Sequence, residues 1–284
     1  MALVQTVRRR RLGEELRRLR LQTGLSAEEV AEQVEGWSST KISRAENAKV
    51  AVREAEVVAL LSFYKASENT TAGLIDLVKN ASKRGWWQSY TDVISPFYTD
   101  LITLETEAET FQTYEASFIP GLFQTAGYAR EVIDKLSPQS TTNIEARVEV
   151  RIARQSVLTR PNNPLKVWAV IHQSAIEAGF SPSVMAPQLE RLIALTRLPT
   201  VDIQVMPSSA GVHPGMGGPF TLIGFPQRKD LDVVLIEALL TSLWIEDPAH
   251  VDQYRAKFQE ITADAMTREK SLAFITAQRD RLTS

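Results

Sequence analysis

Cysteine is absent from this sequence of 284 residues. Without it the chain can form neither a disulfide bond nor a thiolate metal site, and its absence suits a reducing compartment. Histidine is nearly as scarce, because only His172, His213 and His250 occur and they form no HxH or HxxxH pair. Protein zinc sites are built from such ligands at close spacing, so the sequence predicts no bound metal and no cofactor.

Long apolar runs are also missing. The longest, residues 231–246, contains Asp232 and Glu237 and is too short to cross a bilayer. The opening residues place a few apolar side chains before the arginines of 8–11, which reverses the order found in a secretory signal. We therefore expect a cytoplasmic, nucleoid-associated protein with no membrane partner.

A large excess of one charge is missing as well, since the net charge is −2. The distribution along the chain is less even. Residues 1–65 contain twelve Lys or Arg against nine Asp or Glu, and the remainder carries the acidic excess. A basic first part before an acidic remainder is one indication of a nucleic-acid partner.

The first 65 residues show the pattern of short helices joined by turns. Leu12, Leu16 and Leu19 recur at helical spacing and predict a helix over 8–22. Gly24 favours the end of this helix, because glycine adopts the left-handed conformation at little cost. Further helices are predicted over 53–65 and 70–84.

A second helix is predicted to begin after Ser26. Ser26 and Glu29, three residues later, form a capping box, which is a specific start signal for a helix. The residues expected to be buried on this helix are Val30, Ala31 and Val34. The small Ala31 would let another helix cross closely.

The segment GWSSTKISRAEN, residues 36–47, predicts a third helix with one narrow apolar face. Ile42 and Ala45 are its only apolar residues inside the helix, and three-residue spacing puts them on the same side. Ser38 is the expected N-cap, and Gly36 the hinge of the preceding turn. Such a helix is either a solvated surface helix or one that enters a groove. Two short helices joined by a tight turn form the helix-turn-helix layout, whose second helix lies in the DNA major groove.

The stretches LSAEEVAEQV and STKISRAEN together resemble the helix-turn-helix domain of XRE (Cro/repressor-like) regulators. The resemblance covers residues 8–65 and rests on spacing and residue type at Leu25, Ser26, Val30, Ala31, Val34, Ile42 and Glu46. It implies that the base-contacting positions are Ser39, Thr40, Lys41 and Arg44. It also implies that Ser38, Asn47 and Lys49 hold phosphates.

Two residues depart from the family pattern. Glu35 makes the turn one residue longer, and Ala48 stands where the family has glycine. An alanine at positive φ costs about 1 kcal/mol, so the backbone beside Lys49 is expected to differ.

Side-chain chemistry agrees with these roles. Arg44 and Lys41 can donate to O6 and N7 of guanine, and arginine does so with two bonds. The consecutive Arg8, Arg9, Arg10 and Arg11 are more suited to phosphates, which position a protein without specifying sequence. Each of these polar residues could instead be a solvated surface residue.

The composition changes near residue 82, and we place a domain boundary between 1–81 and 82–284. Trp86 and Trp87 follow the boundary. They could contact a ligand or a partner, or pack one domain against the other.

The second part mixes helices and strands. Strands are predicted over 110–121, 165–172, 200–207, 219–225, 232–238 and 240–246. Helices are predicted over 126–136, 143–159, 183–198, 248–266 and 268–282. The fold class is therefore an all-α N-terminal domain followed by an α+β domain with a mixed sheet of about five strands.

The second part also resembles a known family. GWWQSY, LETEAETFQTYEASFIPGLFQT, ARQSVLTRP and AGVHPGMGGPFTLIGF are similar to an actinobacterial regulator domain of unknown function, DUF5753, in regulators of the WhiJ type. This resemblance spans about 82–284. It implies a transcription factor that is often paired with a small partner protein, and it implies neither a ligand nor a catalytic residue.

Other candidate sites are less specific. The glycine-rich loop 208–219 contains His213 and could contact a ligand or a partner, but it lacks the spacing of a phosphate-binding loop. The alternating Glu105, Glu107 and Glu109 are predicted to form a solvated edge. No nucleophile elbow or metal cluster occurs, so we expect no enzyme.

The sequence therefore predicts a sequence-specific, DNA-binding transcriptional regulator, expected to be a homodimer on double-stranded DNA. Its C-terminal domain is expected to sense a small ligand or a small partner protein encoded nearby. The alternative is an antitoxin-like interaction module with autoregulatory DNA binding.

Overall fold

A computed structural model of the chain describes residues 7–81, 85–136, 143–225, 231–238 and 241–283. The chain divides into two compact units. The first runs to Gln88 and includes Pro96–Asp100, and the second comprises Ser89–Ser95 and the residues from Leu101 onward. The predicted boundary falls at residues 82–84, which lie outside the described part.

The first unit is helical. Its helices are α1 (Val7–Thr23), α2 (Ala27–Gln33), α3 (Ser39–Glu46), α4 (Glu54–Phe63) and α5 (Glu68–Ala81), followed by a 3₁₀ turn at Trp86–Tyr90. The capping box of Ser26 and Glu29 is present, so the predicted start of α2 is confirmed. Gly24 and Gly36 have positive φ, as expected of residues that end helices or turn the chain.

The core of this unit consists of the predicted apolar stripes. Leu12, Leu16, Leu19, Val30 and Ile42 are all buried. Ala31 is only half-buried. The close approach of two helices occurs at Gly13 instead, where an added Cβ would lie 2.4 Å from the carbonyl oxygen of Glu46. Glycine at this point lets α1 and the end of α3 touch through their backbones.

The second unit is a mixed six-stranded sheet with helices. The strands are β1 (Thr110–Glu115), β2 (Lys166–His172), β3 (Val201–Met206), β4 (Phe220–Gly224), β5 (Val233–Glu237) and β6 (Ser242–Ile245). The helices that follow α6 (Pro96–Glu107) are α7 (Ala126–Leu136), α8 (Ile144–Ala153), α9 (Gln173–Ile176), α10 (Pro182–Leu195), α11 (Pro248–Asp264) and α12 (Arg268–Thr283). In the described ranges, no helix has the length and apolarity needed to span a bilayer.

The strands lie in the order β3-β2-β1-β4-β5-β6. The first three neighbours, β3, β2 and β1, are parallel, and the remaining pairs are antiparallel. One face of the sheet packs on α11 through Tyr114, Phe220, Leu222 and Phe258. The predicted fold class is confirmed, with one strand more than the expected five.

Three predictions for this unit differ from the structure. The strand predicted over 110–121 ends at Glu115, and a 3₁₀ turn forms at Gly121–Phe123. The helix predicted over 143–159 ends at Ala153, and a 3₁₀ turn follows to Leu158. The prediction of a solvated edge is wrong for Glu105. Its segment forms the helix α6 rather than an extended edge, and helical spacing turns Glu105 inward beside Leu101 and Ile102, where it is fully buried.

Candidate nucleic-acid interface

Helix α3 begins at a defined cap. The side chain of Ser38 accepts a hydrogen bond from the backbone N–H of Lys41 at 3.2 Å. An N-cap of this kind satisfies one of the N–H groups that a helix start leaves unpaired. Ser38 is exposed, so it could also contact a phosphate from this position.

The inner side of α3 is held by apolar packing and by one ion pair. Ile42 and Ala45 are buried, which confirms the predicted apolar face. The Arg20 guanidinium of α1 donates to both carboxylate oxygens of Glu46, at 2.6 and 3.0 Å. It also donates to the carbonyl oxygen of Leu25 at 2.9 Å. The side chains of Arg20 and Glu46 are only 12% and 6% exposed, so water weakens this ion pair little.

The outer side of α3 carries the polar residues. Thr40, Ser43 and Arg44 are exposed, and Ser39 is half-buried. Among the residues that the structure describes, the side chains of Ser39, Thr40 and Arg44 have no hydrogen-bond or ion-pair partner. These donors are therefore available to another molecule while the opposite side of the helix is anchored.

Lys41, the fourth predicted base-contacting residue, is engaged inside the unit. Its Nζ donates to the carbonyl oxygen of Gly36 at 2.9 Å and to the Glu56 carboxylate at 2.8 Å. It also lies 4.7 Å from the centre of the Trp37 ring. The hydrogen bond from the Arg53 backbone N–H, and then the one from Lys41, hold the pKa of Glu56 below its ordinary value. A base could bind Lys41 only in place of these contacts.

The end of α3 adopts the strained conformation that its sequence implied. Ala48 has a φ of +54° and is buried, and the backbone N–H of Lys49 donates to the carbonyl oxygen of Arg44 at 2.7 Å. This is the left-handed helix end that glycine usually supplies. Asn47 donates to the carbonyl oxygen of Ser43 at 2.7 Å. Asn47 and Lys49 are exposed beside Arg44 along the chain, where phosphate contacts remain predictions.

The arginines of α1 differ from one another. The side chain of Arg8 lies outside the described part. Arg9 and Arg10 are half-buried, whereas Arg11 is only 8% exposed. Arg9, Arg10 and Arg11 therefore differ in the surface that a phosphate could contact, and Arg11 has the least.

The tryptophans also differ. Trp86 is exposed and Trp87 is buried, with their rings edge to face at 5.8 Å. An added Cβ at Gly85 would lie 2.2 Å from the ring of Trp87, so the chain runs tightly over this ring. Trp86 is thus the one of the two whose surface could contact a ligand or a partner.

His213 lies in the second unit, at the carboxyl edge of the parallel strands. Its ring meets Tyr114 edge to face at 5.9 Å and stacks on His172 at 6.5 Å. The Nδ1 atom of His213 is buried and has no hydrogen-bond partner in the described ranges. Burial, and then the neighbouring His213, lower the pKa of His172. Within the described residues, no three metal-ligating side chains come together, here or elsewhere.

Sequence reasoning missed the Arg20–Glu46 ion pair and the contact at Gly13. These residues are 26 and 33 positions away from their partners in α3. The signals present in the sequence were a glycine inside a helix and an arginine on its polar side, and neither specifies a partner.

Comparison with known families agrees with this organisation. A model described as a helix-turn-helix domain matches residues 11–74. A model described as a domain of unknown function, DUF5753, matches residues 98–277. No curated protein and no solved structure matches the chain.

Proposed function

The chain belongs to the DUF5753 family and carries a helix-turn-helix domain, and from this premise we propose that it is a sequence-specific, DNA-binding transcriptional regulator. The observation that supports the proposal best is the outer side of α3. Thr40 and Arg44 are exposed there with no partner in the part of the chain that the structure describes, while Ile42 and Glu46 hold the helix in place.

The geometry suits recognition in the major groove. An α-helix fits this groove, and an arginine can bond O6 and N7 of guanine at the same time. Because Arg44 need not leave an internal ion pair, its full donor capacity is available for a base. Ser39 and Thr40 can contact many base edges, so they add less discrimination.

Two copies of the helix-turn-helix domain would double the recognised sequence. Dimeric proteins of this layout bind half-sites about 34 Å apart along one face of the duplex. We propose a homodimer on double-stranded DNA, with the second unit contributing to the dimer contact and sensing a small ligand. The proposal includes no catalytic role for the chain.

The first experiment is to sequence the genomic DNA that co-precipitates with the tagged full-length protein. A recurring operator with two related half-sites is the expected result. The Arg44→Ala variant should then bind this operator more weakly by about 1–3 kcal/mol, with its binding to random DNA unchanged.

Arg18→Ala is the matched control, because Arg18 is an exposed arginine of the same unit that bonds Glu15 on its own helix. Its affinity for the operator should equal that of the original chain. Equal losses for Arg44→Ala on operator and random DNA would show that Arg44 contacts phosphates rather than bases.

A second candidate function is an antitoxin-like interaction module with autoregulatory DNA binding. The observation that favours it is the loop around His213, where Val212 is 93% exposed and Met216 is also largely exposed. Co-purification from the native host tests this candidate. A stoichiometric small protein that is lost with Val212→Ser and Met216→Ser would support it, and its absence would favour a small-molecule sensor.

A further inference from the structure

The two edges of the six-stranded sheet differ in what covers them. At one edge, β3 lies against α12 and the residues that connect it to α11. The backbone N–H of Val205 donates to Ser271 Oγ at 2.9 Å, and the Val205 carbonyl oxygen accepts from the backbone N–H of Met266 at 2.9 Å. Asp202 of β3 also forms an ion pair with Arg268 at 2.7 Å. A further strand could be added beside β3 only by breaking these contacts.

The other edge of the sheet is β6, and in the described ranges no strand pairs with its outer side. The hydrogen bond from the Ala238 N–H to the Thr241 carbonyl oxygen, at 2.9 Å, fixes the alternation along β6. By this alternation the backbone of Leu243 bonds β5, whereas the N–H and C=O groups of Ser242 point away from the sheet. Outward backbone groups of this kind are the ones that an added strand bonds.

The side chains of β6 leave apolar surface uncovered. Leu243 is 56% exposed, and Trp244 and Ile245 are only half-buried. Edge strands of soluble proteins are usually protected against pairing by a charged residue, a proline or a bulge. The segment 239–245, LLTSLWI, contains neither a charge nor a proline, and β6 pairs with β5 in an unbroken register. An apolar and unprotected edge indicates that another strand covers it.

Three observations indicate that the covering strand is β6 of a second copy. Pairing about a two-fold axis joins the same strand of both copies, so no second surface is needed. A contact between β6 of one copy and β3 of another is blocked by α12. The acidic Glu246 and Asp247 follow β6, and antiparallel pairing centred on Leu243 puts those of the two copies at opposite ends. Like charges therefore do not face each other, which would be unfavourable.

We propose that β6 is the dimer contact of the second unit and that it pairs antiparallel with β6 of a second copy, about a two-fold axis at Leu243. The two sheets then form one continuous sheet. The two Leu243 residues are opposite each other in a non-hydrogen-bonded pair, with Cα atoms about 4.5 Å apart, and each covers the exposed surface of the other. The inference gives a surface to the homodimer proposed above and rests on that homodimer.

The first test is cross-linking, and it uses the absence of cysteine from the chain. Leu243→Cys introduces a single thiol, and Cα atoms about 4.5 Å apart lie within the range of about 4.4–6.8 Å that a disulfide spans. The matched control is Leu21→Cys, because Leu21 of α1 is 59% exposed. On oxidation of the full-length protein with diamide, without DNA, Leu243→Cys should form the linked dimer at least about 10-fold faster, since pairing raises the local thiol concentration. Equal rates on non-reducing gels would overturn the β6 contact.

The second test is sedimentation equilibrium of the reduced, full-length protein. Leu243→Lys puts two ammonium groups opposite each other, so the dimer Kd should rise at least about 10-fold, whereas Leu21→Lys should leave it unchanged. Thermal unfolding shows whether each variant is folded, and if Leu243→Lys is not, the cross-linking rates decide.

An unchanged Kd for folded Leu243→Lys would overturn the β6 contact and leave the homodimer standing on another surface. An original chain that stays monomeric would overturn both, and β6 would be left to a strand of a different protein. Because DNA is absent from both experiments, a failure here is separate from a failure of the Arg44 test.

Discussion

Charged side chains are used differently in the two units of this molecule. In the first unit, the buried charges of Arg20 and Glu46 satisfy each other, and Arg44 is exposed without a partner among the described residues. In the second unit, Arg154 bonds one carboxylate oxygen of the fully buried Glu105, and the other oxygen is buried with no hydrogen-bond partner among the described residues.

The difference shows what each arrangement is suited for. An exposed, hydrated arginine can approach a polyanion at once, and its partner need not enter the protein. A buried, unbalanced charge lowers stability until a proton or a ligand compensates it. The first arrangement suits recognition of a surface such as DNA, whereas the second makes the stability of its unit depend on pH.

The largest expected effect is on the balanced pair of the first unit. Glu46→Ala leaves the Arg20 guanidinium largely buried, with the Leu25 carbonyl oxygen as its one remaining partner among the described residues, so the first unit should lose about 3 kcal/mol of stability. Hydrogen exchange of the α3 amides measures this loss locally. The control is Glu15→Ala, which breaks the exposed pair with Arg18 and should cost less than about 1 kcal/mol. Similar losses of stability in Glu46→Ala and Glu15→Ala would show that the buried Arg20–Glu46 pair matters no more than an exposed pair.

The second effect concerns Glu115 of the second unit and depends on pH. The folded chain holds the Glu115 proton up to a pKa of about 8, whereas the unfolded chain releases it near 4.5. Between these values the folded state binds more protons, so this residue makes stability fall as pH rises. Glu115→Gln should remove a fall of about 2–3 kcal/mol between pH 5 and pH 9, allowing for partial contact with water.

Urea unfolding followed by tryptophan fluorescence at pH 5, 7 and 9 measures this difference. Glu131→Gln is the control, because Glu131 is also half-buried but belongs to α7, and it should keep the original pH dependence. A constant free-energy difference between Glu115→Gln and the original chain at all three pH values would contradict the raised pKa.

The smallest effect concerns Lys41. It tests whether this residue of α3 contacts DNA, as proposed for Arg44, or serves only contacts inside the first unit. The Lys41–Glu56 pair is 2.8 Å long with side chains 29% and 28% exposed, so it contributes less than about 1 kcal/mol. Glu56→Gln removes this ion pair and leaves the ammonium with the weaker contacts to the Gly36 carbonyl oxygen and the Trp37 ring. If Lys41 contacts bases, operator affinity should rise by about 2- to 5-fold in a gel-shift titration. Unchanged affinity would assign Lys41 to holding the turn at Gly36.

Much of the fold followed from local patterns. Helix α7 has the predicted bounds, and the capping box of Ser26 starts α2 where it was expected. Helix α6 was missed because Pro96–Tyr98 and the alternating glutamates resemble a turn and an exposed edge. A helix and a strand can share such short patterns, and only tertiary packing decides between them.

The candidate nucleic-acid interface, like the fold, could be predicted only as far as local sequence patterns reach. The apolar face of α3 was evident from Ile42 and Ala45, since periodicity needs no information beyond the segment itself. The base-contacting set of Ser39, Thr40, Lys41 and Arg44 was what the family resemblance implied. That Lys41 is engaged while Arg44 is available could not be predicted, because Glu56 comes from a different helix.

The sequence by itself determined which side of each helix is apolar, where α2 begins and that the chain has neither thiolate ligands nor closely spaced histidines. These properties depend on neighbours within a few positions. The tertiary structure decided which charges are satisfied: Arg20 by Glu46, Lys41 by Glu56, and Glu105 only in part by Arg154. Each partner is 15 or more positions away, and only folding brings such residues within hydrogen-bonding distance.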